Sequence, residues 1–275
     1  MKTLYVTDLD GTLLNSNSSI SPYTLEVINR LVEEGMHFTY ATARSLISAS
    51  IVTEGLSTRI PVIVYNGTII FDVSNGEILN FSSFTTEEIE YVKMLLTEHD
   101  IYPLVYSFLD KEEKVSWVTT KENEGIKHYL SLRQGDRRLR PLPQEQGLYD
   151  GNVFYFTCIG EPDALGPIYD IMSKDNRFTC TFQQELSRTE YWFEIMPRKA
   201  TKAEGVKTLK ELWNCDYVIS FGDAINDIPM FEISDEAYAV ANAVDSLKAV
   251  ATGVIESNDQ DGVAKCIQDF IKKRE

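Results

Sequence analysis

The chain has 275 residues, 43% hydrophobic and 25% charged, enough for one large domain or two medium ones. Its 42 acidic against 26 basic residues give a formal net charge of -16, which argues against nucleic-acid phosphates or an anionic membrane as the main partner. The four cysteines, Cys158, Cys180, Cys215 and Cys266, show no CxxC or zinc spacing, and no apolar run approaches the ~18 residues of a membrane span. No secretory leader precedes the first apolar run, so a reducing, cytoplasmic setting is expected.

Leu4 to Thr7 reads as a strand, with Asp10 to Asn17 as its exit loop. Pro22 to Glu34 carries Leu25, Ile28, Leu31 and Val32 at helical spacing and stops at Gly35. Met36 to Ala41 predicts a second strand, and a helix follows from Ser45 to Glu54. Pro61 to Tyr65 predicts a third strand, stopped by Asn66-Gly67. Strands alternating with helices, and apolar runs without alternation, indicate a parallel sheet covered on both faces.

The rhythm changes after Ile70. Thr85-Thr86-Glu87-Glu88 opens a helix with a capping residue ahead of acidic first-turn positions. Strands are expected near 101–107 and 114–118, a helix within about 121–131, and an irregular basic stretch through Arg137, Arg138, Arg140 and Pro141. A strand over 153–159, a helix from Glu161-Pro162, and strands near 178–182 and 190–195 complete an α+β module. The α/β rhythm returns near Lys202: a helix to Trp213, a buried strand Tyr217 to Phe221, a helix near 227–233, a strand 237–241 and a closing helix from Gly262 to Lys272. The expected organisation is a main domain of 1–82 and 187–275, interrupted by an insert of 83–186.

Ligands of open parallel sheets bind beyond the C-terminal strand ends. Four such ends carry polar groups: Asp8 with Asp10, Thr42, Asn66, and Asp223 with Asn226 and Asp227. Each acid taken alone is readily a cap or turn former. Capping does not require two strand-end acids plus a distant Gly-Asp-x-x-Asn-Asp, and Asp8, Asp10 and Asp223 together make an all-oxygen set suited to Mg²⁺ rather than zinc. Thr42 and Lys202 add a hydroxyl and an ammonium of the kind that hold transferring phosphoryl oxygens. Within Arg198-Lys199-Ala200-Thr201-Lys202, however, a solvated cationic helix start is an equally good reading.

Asp8-Leu9-Asp10-Gly11-Thr12-Leu13 resembles the first signature of the haloacid dehalogenase-like phosphohydrolases. Thr42 matches the second signature, Lys202 the third, and Gly222-Asp223-Ala224-Ile225-Asn226-Asp227 the fourth, in order across essentially the whole chain. The insert resembles the type IIB cap of the Cof-like branch. The implied fold is a Rossmann-like parallel-sheet core with an inserted α+β cap, the cap carrying substrate specificity. The implied chemistry makes Asp8 a nucleophile that forms an aspartyl-phosphate, and Asp10 the general acid and then base. The resemblance further implies Mg²⁺ on the Asp8 carboxylate, the Asp10 backbone carbonyl and Asp223, with Asp227 ligating or orienting a bound water. Thr42, Lys202, Asn226 and the backbone N–H groups around Leu9 and Gly11 would hold phosphate oxygens.

One departure stands out: the family often has Thr-Gly-Arg where this chain has Thr42-Ala43-Arg44, and a left-handed site would not accept alanine. Arg44 reaches either a substrate anion or an acid at the rim. In the insert, Arg137, Arg138, Arg140 and His128 recognise a second anion or, more simply, sit in a solvated loop. Of Tyr102, Tyr106, Trp117, Phe154, Tyr155 and Phe156, strand alternation would put about half in the core.

The expected function is a Mg²⁺-dependent phosphomonoester phosphatase acting on small phosphorylated metabolites, sugar phosphates above all, with no nucleic-acid, membrane or obligate protein partner. Alternatives are a sugar phosphomutase, a pyridoxal-phosphate phosphatase and, from another class, a non-catalytic metal- or phosphate-binding regulator.

Overall fold

The structure, a computed structural model, describes residues 1–57, 59–184 and 188–272. It divides into two units, Met1–Phe81 with the chain from Ala200 onward, and Ser82–Lys199. The first unit begins with β1 (Thr3–Thr7), α1 (Pro22–Glu33), β2 (His37–Tyr40), α2 (Leu46–Val52), β3 (Pro61–Val64), β4 (Ile69–Asp72) and β5 (Glu77–Phe81). The second contains α3 (Thr86–Glu98), β6 (Leu104–Leu109), β7 (Glu112–Val118), α4 (Glu124–Ser131), β8 (Leu139–Leu142), β9 (Asn152–Gly160), α5 (Pro162–Met172), β10 (Phe178–Gln184) and β11 (Tyr191–Pro197). The chain then returns through α6 (Lys202–Leu212), β12 (Tyr217–Gly222), α7 (Ile228–Glu232), β13 (Glu236–Val240), α8 (Asp245–Lys248), β14 (Gly253–Ile255) and α9 (Gly262–Lys272). Among the described residues no helix is long and apolar enough to cross a membrane.

In the first unit the sheet order is β14-β13-β12-β1-β2, and every pair is parallel. β1 is buried at all five residues, as expected of a central strand covered on both faces. Thr7 lies opposite both Phe221 and Tyr40, so the residues that follow these three strands emerge together at one edge. Pro61 to Tyr65 continues this sheet at one point only, a parallel bridge between Ala41 and Ile63. Positive φ at Tyr65, Asn66 and Gly67 reverses the chain at once, so β4 returns antiparallel to β3 and β5 completes a separate three-stranded sheet.

The second unit is a six-stranded sheet, β10-β11-β9-β6-β7-β8, antiparallel except for the β7–β8 pair. Val105, Val118, Phe156, Cys158, Phe193 and Ile195 of this sheet share a core with Val92 and Leu96 of α3 and Leu165, Ile168 and Met172 of α5. Thr85 forms the expected capping box with Glu88 at the start of α3. The expected boundary between residues 186 and 187 lies outside the described residues. The segment beyond it departs from expectation: β11 pairs with β10 on one side and β9 on the other, which holds it in the second unit.

The basic stretch is not a solvated loop. It leads into β8, an edge strand where Pro141 costs no shared ladder bond. Arg138 is buried there, between Glu113 at 2.6 Å and Asp136 at 2.7 Å. Of the six aromatics, Tyr106, Trp117, Phe154, Tyr155 and Phe156 are buried and Tyr102 is half-buried, more than alternation alone predicts, because β9 is a central strand buried at nearly every residue.

Candidate active site

Asp8 follows β1 directly, and its backbone N–H still donates to the Phe221 carbonyl at 3.0 Å, so the sheet itself fixes its position. The chain then makes a helical turn over Leu9–Leu13, interrupted at Gly11 with φ +73. Only glycine fits: a Cβ at residue 11 would stand 2.3 Å from Asp223 Oδ2. Leu9 turns into the core while the Asp10 side chain is exposed.

Lys202 sits in the first turn of α6, whose cap is the Thr201 side chain accepting from the Glu204 N–H. Gly67 lets that helix start come close, since a Cβ there would lie 2.0 Å from the Thr201 carbonyl oxygen. With 3% of its surface exposed, the Lys202 ammonium requires counter-charges. It donates to Asp8 Oδ1 at 2.6 Å and to Asp227 Oδ1 at 2.7 Å. Burial works against its charge, but Asp227 and Asp8 outweigh burial and hold the ammonium proton more firmly than usual. The solvated-cluster reading therefore fails for Lys202.

Asp227 is fully buried and both its oxygens are committed, the second accepting from the N–H groups of Asp223 and Ala224 at 3.1 Å each. It organises the loop that presents Asp223. Asp223 Oδ1 accepts the Thr12 hydroxyl at 2.9 Å. Asp8 Oδ2 and Asp223 Oδ2 accept no hydrogen bond among the described residues. Burial pushes the Asp8 carboxyl up to about 8; Lys202 opposes that rise, and Asp227 and Asp223 add to it. Burial likewise lifts Asp223 to about 6 against the Thr12 hydrogen bond. Such lifted carboxyls in one small space want a cation.

Asp8, Asp223 and Asp227 each offer an oxygen, all within 4.8 Å of one another. This hard-oxygen set without Cys or His fits a divalent cation of the Mg²⁺ kind, with Asp223 keeping a free oxygen for it, Asp8 offering one of its two and Asp227 better placed to orient than to ligate. The buried Asn226 Oδ1 has no partner among the described residues, an orphan acceptor that an incoming donor would satisfy.

Thr42 is buried beyond β2, its N–H on the Ile63 carbonyl and its Oγ1 accepting the Arg44 N–H at 3.1 Å, which leaves the hydroxyl proton for an incoming oxygen. Ala43 is not among the positive-φ residues, so alanine in place of the usual glycine costs no backbone strain. Arg44 takes the acid, not an open position: Nε and Nη2 grip the Asp10 carboxylate at 2.7 and 2.6 Å. Thus Asp8, Lys202, Asp223 and Asp227 form one network, Asp10 and Arg44 form a second pair, and Thr42 and Asn226 stand beyond β2 and β12, the two strands that flank β1. The sequence gives no separate sign of Thr12, although it adjoins Gly11; its hydroxyl on Asp223 emerges only from the fold.

A protein-family model described as haloacid dehalogenase-like hydrolase matches residues 5–267. The chain belongs to this family. Among curated relatives, 5-amino-6-(5-phospho-D-ribitylamino)uracil phosphatase YwtE of Bacillus subtilis (strain 168) is 26% identical over 283 residues, covering 96% of each chain. A second such phosphatase of that organism, YitU, is 22% identical over 97% of each chain. Among solved structures, TM0651 from Thermotoga maritima aligns with a TM-score of 0.78 at 25% identity, covering 98% of this chain and 97% of the other. The subclass IIB sugar phosphatase BT4131 shares the fold, with a TM-score of 0.72 at 19% identity over 98% and 99% of the two chains. The parallel-sheet core, the antiparallel sheets and the hydrolase family thus agree with the motifs of the sequence.

Proposed function

We propose that the chain is a Mg²⁺-dependent phosphomonoester phosphatase for small phosphorylated metabolites, sugar or polyol phosphates first among them. The observation that carries this reading is the asymmetry of Asp8: one carboxylate oxygen is held by buried Lys202, the other is uncommitted beside Asp223. A carboxylate held in this way is oriented for attack, and its own charge is balanced before substrate arrives. The reading also rests on the family and on relatives named as phosphatases of a phosphorylated ribitylaminouracil.

In the first half-reaction Asp8 Oδ2 forms a bond to phosphorus as the bond to the leaving alcohol breaks, and Asp10, once free of Arg44, serves as the acid that gives a proton to the alcohol oxygen. Lys202, the Thr42 hydroxyl and the N–H groups of the Leu9–Gly11 turn take the phosphoryl oxygens, with the Asn226 amide beside them. In the second, Asp10 accepts a proton from water, which attacks phosphorus and releases orthophosphate and the free Asp8 carboxylate. Bound Mg²⁺, held by Asp8, Asp223 and the Asp10 carbonyl with Asp227 behind them, would neutralise phosphoryl charge. Leaving-group selection is assigned to the insert, Ser82–Lys199.

The test is a phosphate-release screen over sugar, polyol, nucleotide and cofactor phosphates, with Mg²⁺ and after chelation. Orthophosphate release that chelation stops is expected, greatest for sugar and polyol phosphates. A rearranged sugar phosphate without orthophosphate would make the protein a mutase, preference for pyridoxal phosphate would replace the substrate class, and no release from any ester would end the reading.

A further inference from the structure

The turn that follows Asp8 is gripped by a part of the chain more than two hundred residues away. Asn242, just beyond β13, donates from Nδ2 to the Gly11 carbonyl at 2.7 Å. Its Oδ1 accepts the backbone N–H of Asn258 at 3.1 Å, and Asn258 Nδ2 donates to the Leu14 carbonyl at 3.0 Å. One residue on, the Asp259 carboxylate accepts both the N–H and the hydroxyl of Ser16, at 2.8 and 2.7 Å. Asp261 accepts the hydroxyls of Ser21 and Thr24, at the start of α1. The segment 258–261 thus runs along the loop from Leu14 to Thr24 as a polar splint, and Asn242 extends the splint to Gly11.

Gly11 is the weakest point of the turn, because glycine at φ +73 has many other conformations open to it. Its peptide plane is rigid, so holding the carbonyl oxygen also fixes the direction of the Thr12 N–H on the opposite side. The start of the turn is held by the sheet through the Asp8 N–H, and its end by Asn258; in the middle Asp223 takes the Thr12 hydroxyl, and Asn242 takes the Gly11 backbone itself.

We infer that Asn242 is a positioning residue: with Asn258 it pre-sets the Gly11 turn, the Thr12 N–H included, so that the turn's backbone donors are in place before a phosphoryl group arrives. The inference rests on the phosphatase reading above. Preorganised donors act in the transition state more than in the ground state, so loosening them lowers kcat with little change in KM.

The experiment compares Asn242→Asp and Asn242→Ala with the unaltered chain, measuring vanadate and orthophosphate binding by calorimetry, kcat and KM on a turned-over sugar phosphate, and Tm. Asn242→Asp keeps the size and the oxygen facing the Asn258 N–H but replaces the donor to Gly11. Both variants are expected to weaken vanadate, which mimics the five-coordinate phosphoryl group, by about tenfold, with kcat/KM falling in proportion and orthophosphate affinity within about twofold. Loss of active fraction would lower kcat without moving a dissociation constant, so the vanadate value separates positioning from mere folding. Unchanged vanadate affinity in both variants overturns the inference and leaves the phosphatase reading standing; failure of the unaltered chain to bind vanadate or orthophosphate overturns both.

Discussion

The two units of this chain bury charge in opposite ways. At the strand ends of the parallel sheet, buried Lys202 is matched by Asp8 and Asp227, yet Asp8 and Asp223 each keep an oxygen with no hydrogen bond among the described residues. In the six-stranded sheet, Arg138 is buried too, but its Nε and both terminal nitrogens are spent on Asp136 and Glu113. The Tyr106 and Tyr129 hydroxyls there are paired with each other at 2.9 Å. A buried charge whose partners are all used is architecture; one beside unused acceptors has work left to do. That contrast, not burial alone, marks the chemistry.

The contrast breaks most sharply at Asp8. Asp8→Asn keeps an oxygen for Lys202 but removes the nucleophile, so turnover should fall by at least about a thousandfold while the circular-dichroism spectrum is retained. Retained turnover would refute the assignment. In the insert the corresponding change acts on stability: Arg138→Ala strands two nearly buried carboxylates and should cost about 3 kcal/mol in urea unfolding, roughly a 150-fold change in the folding equilibrium. A cost below about 1 kcal/mol would place Arg138 among ordinary surface pairs.

Asp10→Asn should lower turnover of alkyl phosphates by about a hundredfold but affect aryl esters much less in the phosphoryl-transfer step, since a phenolate leaves without a proton. Equal losses in single-turnover measurements on both ester classes would remove its general-acid role. Metal affinity supplies a pH test. Burial lifts Asp223 to about 6 and Asp8 to about 8, so each retains its proton to a higher pH than usual, and a cation must displace it. Apparent Mg²⁺ affinity should therefore rise from pH 6 to pH 8, by up to about tenfold per unit for each proton displaced. A titration flat across that range would show that the lifted carboxyls are not ligands. The smallest effect is expected for Tyr129→Phe, about 1 kcal/mol of stability from the loss of one buried hydroxyl pair, with kcat unchanged.

The strand-end acids were legible because their signal is local. An apolar run that ends in Asp8-Leu9-Asp10-Gly11, and another in Gly222-Asp223 with Asn226 and Asp227 behind it, constrain the chemistry through neighbours in the chain. Choosing Lys202 from three nearby cations required the family resemblance, and burial between two carboxylates is what separates it from the others. β8 was not legible: its four residues carry an arginine and a proline, and what makes them a strand is a parallel partner some twenty residues earlier. β11 is a different case: the sequence grouped a strand at 190–195 with the α+β module, the expected boundary cut it off, and its pairing with β9 and β10 is what places it.

By itself the sequence determined the class of the core, the acids at its strand ends and the hard-oxygen character of the set, because each follows from residue type and short spacing. Only the tertiary structure decided that Asp227 spends both oxygens as an orienter, that Arg44 grips Asp10, and that Asn242 reaches back across 231 residues to Gly11. Hydrogen bonds depend on distance and angle in space, and strand order, not chain order, sets both.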